Sequence, residues 1–167
     1  MQHVSEQVKI VAYSDSGEGD VIYVSSTAAT VRDAVMEAVM NGISLAGADL
    51  RGEDLEEAYL REANLTGAQL EGANLKKTSL AEVRFCGAHL DGADLGYADV
   101  RCASLVGAHL NGARLRNVIL LWADLTGAVL VGADLTGAIL EEAHLDGASL
   151  VQADLTKAIL TRADLTG

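Results

Sequence analysis

Residues 125–140 read LTGAVLVGADLTGAIL, with leucine at every fifth position and alanine two positions before each of the last three leucines. Five residues advance a side chain by a net angle of about 140° on an α-helix, so these leucines would spiral over all of its faces. On a flat strand, an odd interval would place successive leucines on opposite faces. The spacing therefore excludes both regular structures and predicts a chain that turns a corner in every five-residue unit.

The same spacing extends far beyond this stretch. From Leu45 to Leu165 all 25 fifth positions are leucine except Phe85 and Val100, without one insertion, and the position two before is alanine in 20 of the 25. If every unit turns a corner, both positions point to one axis and the other three face solvent, which defines a solenoid. The predicted core then includes Leu65, Phe85, Leu105 and Leu125.

A slower period predicts the number of sides. Glycine follows the leucine by two positions in pairs of successive units, as at Gly107 with Gly112, and most of these pairs recur every 20 residues. The two units between such pairs hold other residues at this position, for example Asn117 and Trp122, and Gly137 is an exception. A period of 20 residues means four units per coil. We expect type II turns, which need a residue at positive φ, on the glycine sides only, and another turn type on the other two.

The units ADLTG, ANLTG and AHLDG resemble those of the pentapeptide-repeat family, whose pattern is A(D/N)LXX. The resemblance covers residues 43–167, about three quarters of the chain. It implies an all-β solenoid, a right-handed quadrilateral parallel β-helix, and the length of the repeat corresponds to about six coils. The handedness comes from the resemblance alone.

Residues 1–42 lack the repeat and predict a separate cap. The runs VKIVAY and VIYVS, separated by SDSGEGD, predict a β-hairpin. The segment TAATVRDAVMEAVMNG predicts a helix with Thr30 or Thr27 as its N-cap. An open solenoid end exposes its core and its unpaired edges, so we expect this hairpin and helix to cover it. Glu53, an acid at an inward position of the first coil, is expected to meet a polar partner near the cap.

The carboxyl end stops in phase with the repeat, at ADLTG. We expect either that the natural chain continues or that another molecule covers this end. A homodimer through the last coil is one interpretation, and a monomer is the other.

Charge and cysteine content limit the classes of function. The chain carries 24 acidic and 12 basic side chains, a formal net charge of −12, which argues against direct binding of nucleic acid and permits a basic partner. Cys86 and Cys102 have no CxxC spacing, and no basic, apolar signal segment precedes them. These features favour a cytoplasmic protein with reduced thiols. No apolar run approaches the length of a membrane span.

Residues 20 apart should stack in columns along the sides of the rod, and one column predicts an exposed apolar stripe. The candidate contact residues for a partner or second subunit are Ile119, Leu121, Trp122, Ile139 and Ile159. The alternative is that β-branched residues here only favour a strand ladder. A smaller patch on the opposite side comprises Val129, Val131 and Val151.

Candidates for chemistry are few. His89 and His109 are 20 residues apart and should stack, which makes them candidate metal ligands, although the repeat supplies no third ligand. Asp124, His144 and Asp164 form another column. No HExxH, P-loop or GxGxxG motif is present, and a filled rod offers no cleft, so the sequence predicts no enzyme and no cofactor.

Two functions remain open. The first is a non-enzymatic rod that binds another protein. The second comes from the resemblance, since some family members bind DNA gyrase or topoisomerase IV as DNA mimics. The repeat region has 18 acidic and 10 basic residues, which suits mimicry. A mid-rod belt of Arg84, Arg101, Arg114 and Arg116, together with the absence of inserted loops, weighs against it.

Overall fold

The computed structural model describes residues 7–12 and 19–166, and it begins with a small hairpin and a helix. The hairpin pairs β1 (Val8–Val11) with β2 (Val21–Ser25) in antiparallel register, with an irregularity between Ile10 and Val11. Most of the SDSGEGD segment predicted to connect the two strands lies outside the described residues. No helix in the described part of the chain is long and apolar enough to cross a membrane.

Helix α1 (Val31–Met40) begins and ends at local capping signals. The Thr30 side chain accepts a hydrogen bond from the Asp33 amide at 3.1 Å, which satisfies one of the unpaired donors of the first turn. Asn41 caps the carboxyl end, and Gly42 follows with φ of 69°. One side of the helix enters the hydrophobic core through Ala34, Val35 and Ala38, all fully buried.

From Leu45 onward the chain turns every five residues and stacks every 20. The Ala48 amide donates to the Leu45 carbonyl at 3.0 Å across one turn, and the Leu50 amide donates to the Gln69 carbonyl of the next coil at 2.8 Å. Parallel bridges join residues 20 apart, from Asp49–Gln69 to His144–Asp164. The protein is therefore a β-helix solenoid in which each 20-residue coil has four turns.

The core is a stack of inward leucine and alanine side chains. Leu65, Phe85, Leu105 and Leu125 are each fully buried along the axis. Thr78 is an inward polar residue, and its hydroxyl donates to the Leu55 carbonyl at 2.9 Å, so no donor is left unpaired there.

The turn geometry differs from the expectation of two turn types. The residue two after each inward leucine has positive φ at every described corner, between 54° and 70°, whether it is glycine or a residue such as Trp122 (φ 58°). The expectation of a second turn type was wrong because the ladder sets the turn. Trp122 and Gly107 both use this position's amide to donate to the next coil, to the carbonyls of Glu141 at 3.1 Å and Thr126 at 2.9 Å. Stacking above and below holds side-chain residues in a conformation they otherwise avoid.

Gly137, the exception to the 20-residue glycine pattern, has a local reason. A Cβ atom at this position would lie 2.5 Å from Asn117 Oδ1, whereas one at Gly127 or Gly132 would have no neighbour within 4 Å. The Asn117 amide thus occupies the space that a side chain at position 137 would need.

Exchanging glycine and a side chain at these corners should change stability in opposite directions. Gly107→Ala is expected to lower the free energy of unfolding by about 1 kcal/mol, because alanine is strained at φ of 63°. Lys157→Gly relieves the same strain at φ of 61° and should leave stability unchanged or raise it. Chemical denaturation of both variants measures the difference, and a stabilising Gly107→Ala would contradict the assignment of these turns.

The junction between α1 and the first coil differs slightly from the repeat pattern. Ile43, the first predicted inward position, is 37% exposed because its amide still bonds the Ala38 carbonyl of the helix end. The helix contacts the coil through Arg32, whose Nη1 donates to the Glu56 carbonyl at 3.1 Å. Glu53 is half-buried, and among the described residues its carboxylate makes no hydrogen bond, so its contact with the cap stays a prediction.

Candidate protein-binding face

One side of the rod carries a column of isoleucines. Parallel bridges join Ile119 to Ile139 and Ile139 to Ile159, so the three side chains stack outward on successive coils. Ile119 and Ile139 are half-buried, and Ile159 is 46% exposed. β-Branched side chains in a stacked ladder shield one another, which accounts for the partial burial of the first two.

The adjoining corner extends this column sideways. Leu121 is half-buried there, and Trp122 beside it is 54% exposed. We call the set of Ile119, Leu121, Trp122, Ile139 and Ile159 the apolar face. These are the predicted stripe residues, and the fold brings them together on neighbouring coils.

Ion pairs border the apolar face on two sides. Asp99 precedes Ile119 in the column and receives two hydrogen bonds from Arg101, with Nε–Oδ1 at 2.7 Å and Nη2–Oδ2 at 2.6 Å. These bonds lower the pKa of Asp99 below its usual value, so the carboxylate stays charged at neutral pH. Arg162 and Glu142 pair at 3.4 Å at the corner below Trp122. An apolar centre with a charged border is typical of protein contact surfaces.

The smaller valine patch lies elsewhere on the rod. Val129 continues the column of His109, where it is half-buried, and Val151 is 60% exposed at the following corner. This patch has no aromatic residue, and it offers matched control positions for the apolar face.

His89 and His109 stack as their spacing predicts. Their ring centroids are 4.9 Å apart with the planes inclined by 21°. Nitrogen lone pairs lie in the plane of an imidazole ring, so two stacked rings do not direct them at one ion between the faces. Among the described residues, neither histidine belongs to a group of three metal-ligating side chains, and a metal at this pair stays a prediction.

A shallow groove beside the end of α1 was not foreseen from the sequence. It has a volume of about 680 Å³ and is lined by Met40 and Ile43 together with Tyr59, Arg61 and Arg84 of the first coils. Its only sequence signal is Ile43, an isoleucine where the repeat would place alanine.

Comparison with known proteins identifies the repeat. The family model described as pentapeptide repeats matches eight copies over residues 38–76, 68–101, 103–141 and 128–167. Comparison with curated proteins returns no significant match.

Among solved structures, HetL is similar to this chain. It is a pentapeptide repeat protein involved in heterocyst differentiation regulation in the cyanobacterium Nostoc sp. strain PCC 7120. The two chains are 38% identical over 69% of this chain and 67% of HetL, with a TM-score of 0.31. A pentapeptide repeat protein of the cyanobacterium Cyanothece 51142 is 34% identical over 60% of this chain and 62% of its own, with a TM-score of 0.35.

A third similar structure is QnrB1, a plasmid-mediated fluoroquinolone resistance protein. It is 19% identical over 71% of this chain and 72% of its own, with a TM-score of 0.43. The family model covers well over half of the chain, and it agrees with the period of five residues and the stack of 20-residue coils. The chain belongs to the pentapeptide repeat family.

Proposed function

We propose that this chain is a non-enzymatic rod that binds another protein through the apolar face. Pentapeptide repeat proteins are generally non-catalytic structural or binding proteins, which supports the general class. The core of the rod is filled by leucine and alanine, and its sides expose ladders rather than a cleft where reacting groups could converge.

The observation that carries the proposal is Trp122. A stacked ladder accounts for the isoleucine column, since β-branched residues stabilise adjacent strands without any partner. It does not account for a tryptophan at a corner with φ of 58° and a side chain 54% exposed. Neither the core nor the ladder needs an aromatic residue there, and tryptophan is among the residues that contribute most to protein interfaces.

Mimicry of DNA is the alternative. One column carries carboxylates on most coils, namely Asp54, Asp94, Asp134 and Asp154. Basic side chains pair with two of them: Lys76 Nζ lies 3.0 Å from Asp94, and Arg116 pairs with Asp134. Because these cations reduce the negative potential of the column, the charge pattern favours the apolar face over an acidic mimic.

The proposal also assigns roles to the two parts of the chain. Residues 1–42 would form the cap, and residues 43–167 a right-handed four-sided β-helix. Support for the cap comes from two contacts with the first coil, the Asp49 amide to the Val11 carbonyl at 2.8 Å and the Arg32 guanidinium to the Glu56 carbonyl. The buried side of α1 belongs to the same core as the coil leucines.

A homodimer through the last coil is part of the proposal on partners. The inward leucines of this coil are more exposed than those of the middle coils, and Leu165 is exposed. Stacking a second copy on this end would bury them. A solution mass of one chain at micromolar concentration, measured by light scattering, would contradict the homodimer.

Variants of the two surfaces test the binding proposal. Affinity capture from the source organism should recover a protein that wild type and Val129→Asp retain but Trp122→Ala and Ile139→Asp lose by at least about tenfold. Melting curves establish that the four proteins are equally folded. Captured proteins that are insensitive to Trp122 and Ile139 would contradict the proposal.

Purified DNA gyrase provides a separate arm for the alternative. The proposal predicts that the protein leaves gyrase supercoiling unchanged. Inhibition of supercoiling that Asp54→Asn and Asp154→Asn relieve, but Trp122→Ala does not, would favour mimicry instead.

A further inference from the structure

A mixed cluster of metal-ligating side chains lies on a different side of the rod from the apolar face. His144, Asp146 and Asp164 each offer one ligand atom, and these atoms all lie within 4.8 Å of one another. We propose that they form a binding site for a divalent transition metal ion of the zinc type, which links two successive coils.

The ladder fixes the backbone on both sides of this cluster. His144 and Asp164 are bridge partners on adjacent coils, and the Leu145 amide donates to the Asp164 carbonyl at 2.7 Å. Asp146 sits at the next corner, where the following residue, Gly147, bonds the Thr166 carbonyl at 2.9 Å. The three ligands thus start from a backbone that binding does not have to order, which favours affinity.

Thr166 orients both carboxylates. Its hydroxyl donates to Asp146 Oδ1 at 2.6 Å, and its amide donates to Asp164 Oδ1 at 3.1 Å. Each carboxylate keeps a second oxygen for an ion. Such outer hydrogen bonds hold ligands in place at protein metal sites.

The local charge also favours a cation. Every ion pair among the described residues uses a carboxylate other than Asp146 and Asp164, so no lysine or arginine there neutralises these two acids. Two carboxylates held near each other repel, and a bound divalent ion would relieve that repulsion.

The donor set indicates which ions fit. One imidazole nitrogen and two carboxylate oxygens suit Zn²⁺, Co²⁺ or Ni²⁺ better than Mg²⁺ or Ca²⁺, which prefer oxygen ligands alone. Metal–ligand bonds of about 2.1 Å in a tetrahedral site separate the ligand atoms by roughly 3.4 Å. Small side-chain rotations close the remaining gap, and water completes the coordination.

The same tripeptide elsewhere in the rod lacks this arrangement and provides an internal control. His89 and Asp91 also have the spacing His-Leu-Asp, but the bridge partner of His89 is His109. Asp91 Oδ1 accepts a hydrogen bond from the Asn111 amide at 2.7 Å, and the two rings are stacked. The distinguishing feature of the proposed site is therefore Asp164 below His144, in place of a second histidine.

Calorimetric titration of the untagged, metal-free chain with Zn²⁺ tests the proposal. We expect one ion per chain, with affinity reduced at least about tenfold in His144→Ala and in Asp164→Asn but unchanged in His89→Ala. Hydrogen exchange should also slow on addition of Zn²⁺ at the amides of residues 144–147. Circular dichroism and melting of the metal-free variants verify that each one folds.

Three results would overturn the proposal: no Zn²⁺ binding up to millimolar concentration, binding that survives His144→Ala and Asp164→Asn, or binding lost in His89→Ala. The last result would instead assign the ion to the stacked histidine pair. Titration with Co²⁺ provides a spectroscopic check, since a tetrahedral site with nitrogen and oxygen ligands produces visible absorption that His144→Ala should abolish.

Discussion

Replacing Leu105 with alanine is expected to lower the free energy of unfolding by about 2–5 kcal/mol. Leu105 is fully buried midway along the rod, between Phe85 and Leu125 of the neighbouring coils. Its amide donates to the Asp124 carbonyl at 2.7 Å, and the Phe85 amide donates to the Ser104 carbonyl at 2.7 Å. Because these bonds hold the coils at a fixed spacing, the structure cannot collapse onto the cavity, and the cost should fall in the upper half of the range.

The neighbouring residue is the matched control for this substitution. Val106 has a similar apolar side chain but lies at the outward corner, where it is exposed. Val106→Ala should change stability by no more than about 0.5 kcal/mol. Urea denaturation of both variants measures the difference, and an equal or reversed ranking would contradict the inward assignment of the leucine column.

Replacing Val35 with aspartate is expected to cost roughly 3–5 kcal/mol, because it places an unpaired charge in the core. Val35 is fully buried where α1 meets the first coil, in the same cluster as Leu45. The charge would be relieved only if the helix left the coil. We therefore expect increased hydrogen exchange in the first coil and aggregation through the uncovered end.

Met40→Asp is the control on the same helix. Met40 is 86% exposed, so a charge there should leave stability and exchange nearly unchanged. If Val35→Asp melted like Met40→Asp, with the first coil still protected, the proposed role of the helix as a cap would be wrong.

The architecture of the rod was largely predictable because one interval controls it. A leucine every five residues excludes a helix or a flat strand, and the glycine pairs indicate a 20-residue coil, which the bridges from Asp49–Gln69 onward have. The Thr30 cap of α1 followed from local side-chain chemistry in the same way. In both cases the deciding interaction lies within one coil or one helix turn, where the sequence pattern reports it directly.

The corners were less predictable because their conformation is imposed from outside the unit. Trp122 and Glu57 adopt positive φ although their own preference opposes it, since hydrogen bonds to the next coil require that geometry. Gly137 depends on the side chain of Asn117, one coil away. Sequence spacing within a unit does not report such contacts.

The candidate sites divide along the same line. Columns of residues 20 apart predicted the apolar face and the stack of His89 on His109. They did not predict the contribution of Asp146, which lies at a corner and reaches the column of His144 and Asp164 sideways. A corner residue next to a column can be recognised only when the direction of its side chain is known.

Photo-cross-linking at Trp122 in living cells tests the central claim, that the apolar face binds another protein, most directly. A photoreactive phenylalanine derivative replaces Trp122 in one variant and Val151, which is 60% exposed in the valine patch, in the other. The account predicts a discrete protein adduct from position 122 that is absent from position 151, with the adduct mass distinguishing a second copy of the chain from a different protein. No adduct at position 122, or the same adducts at both positions, would contradict it.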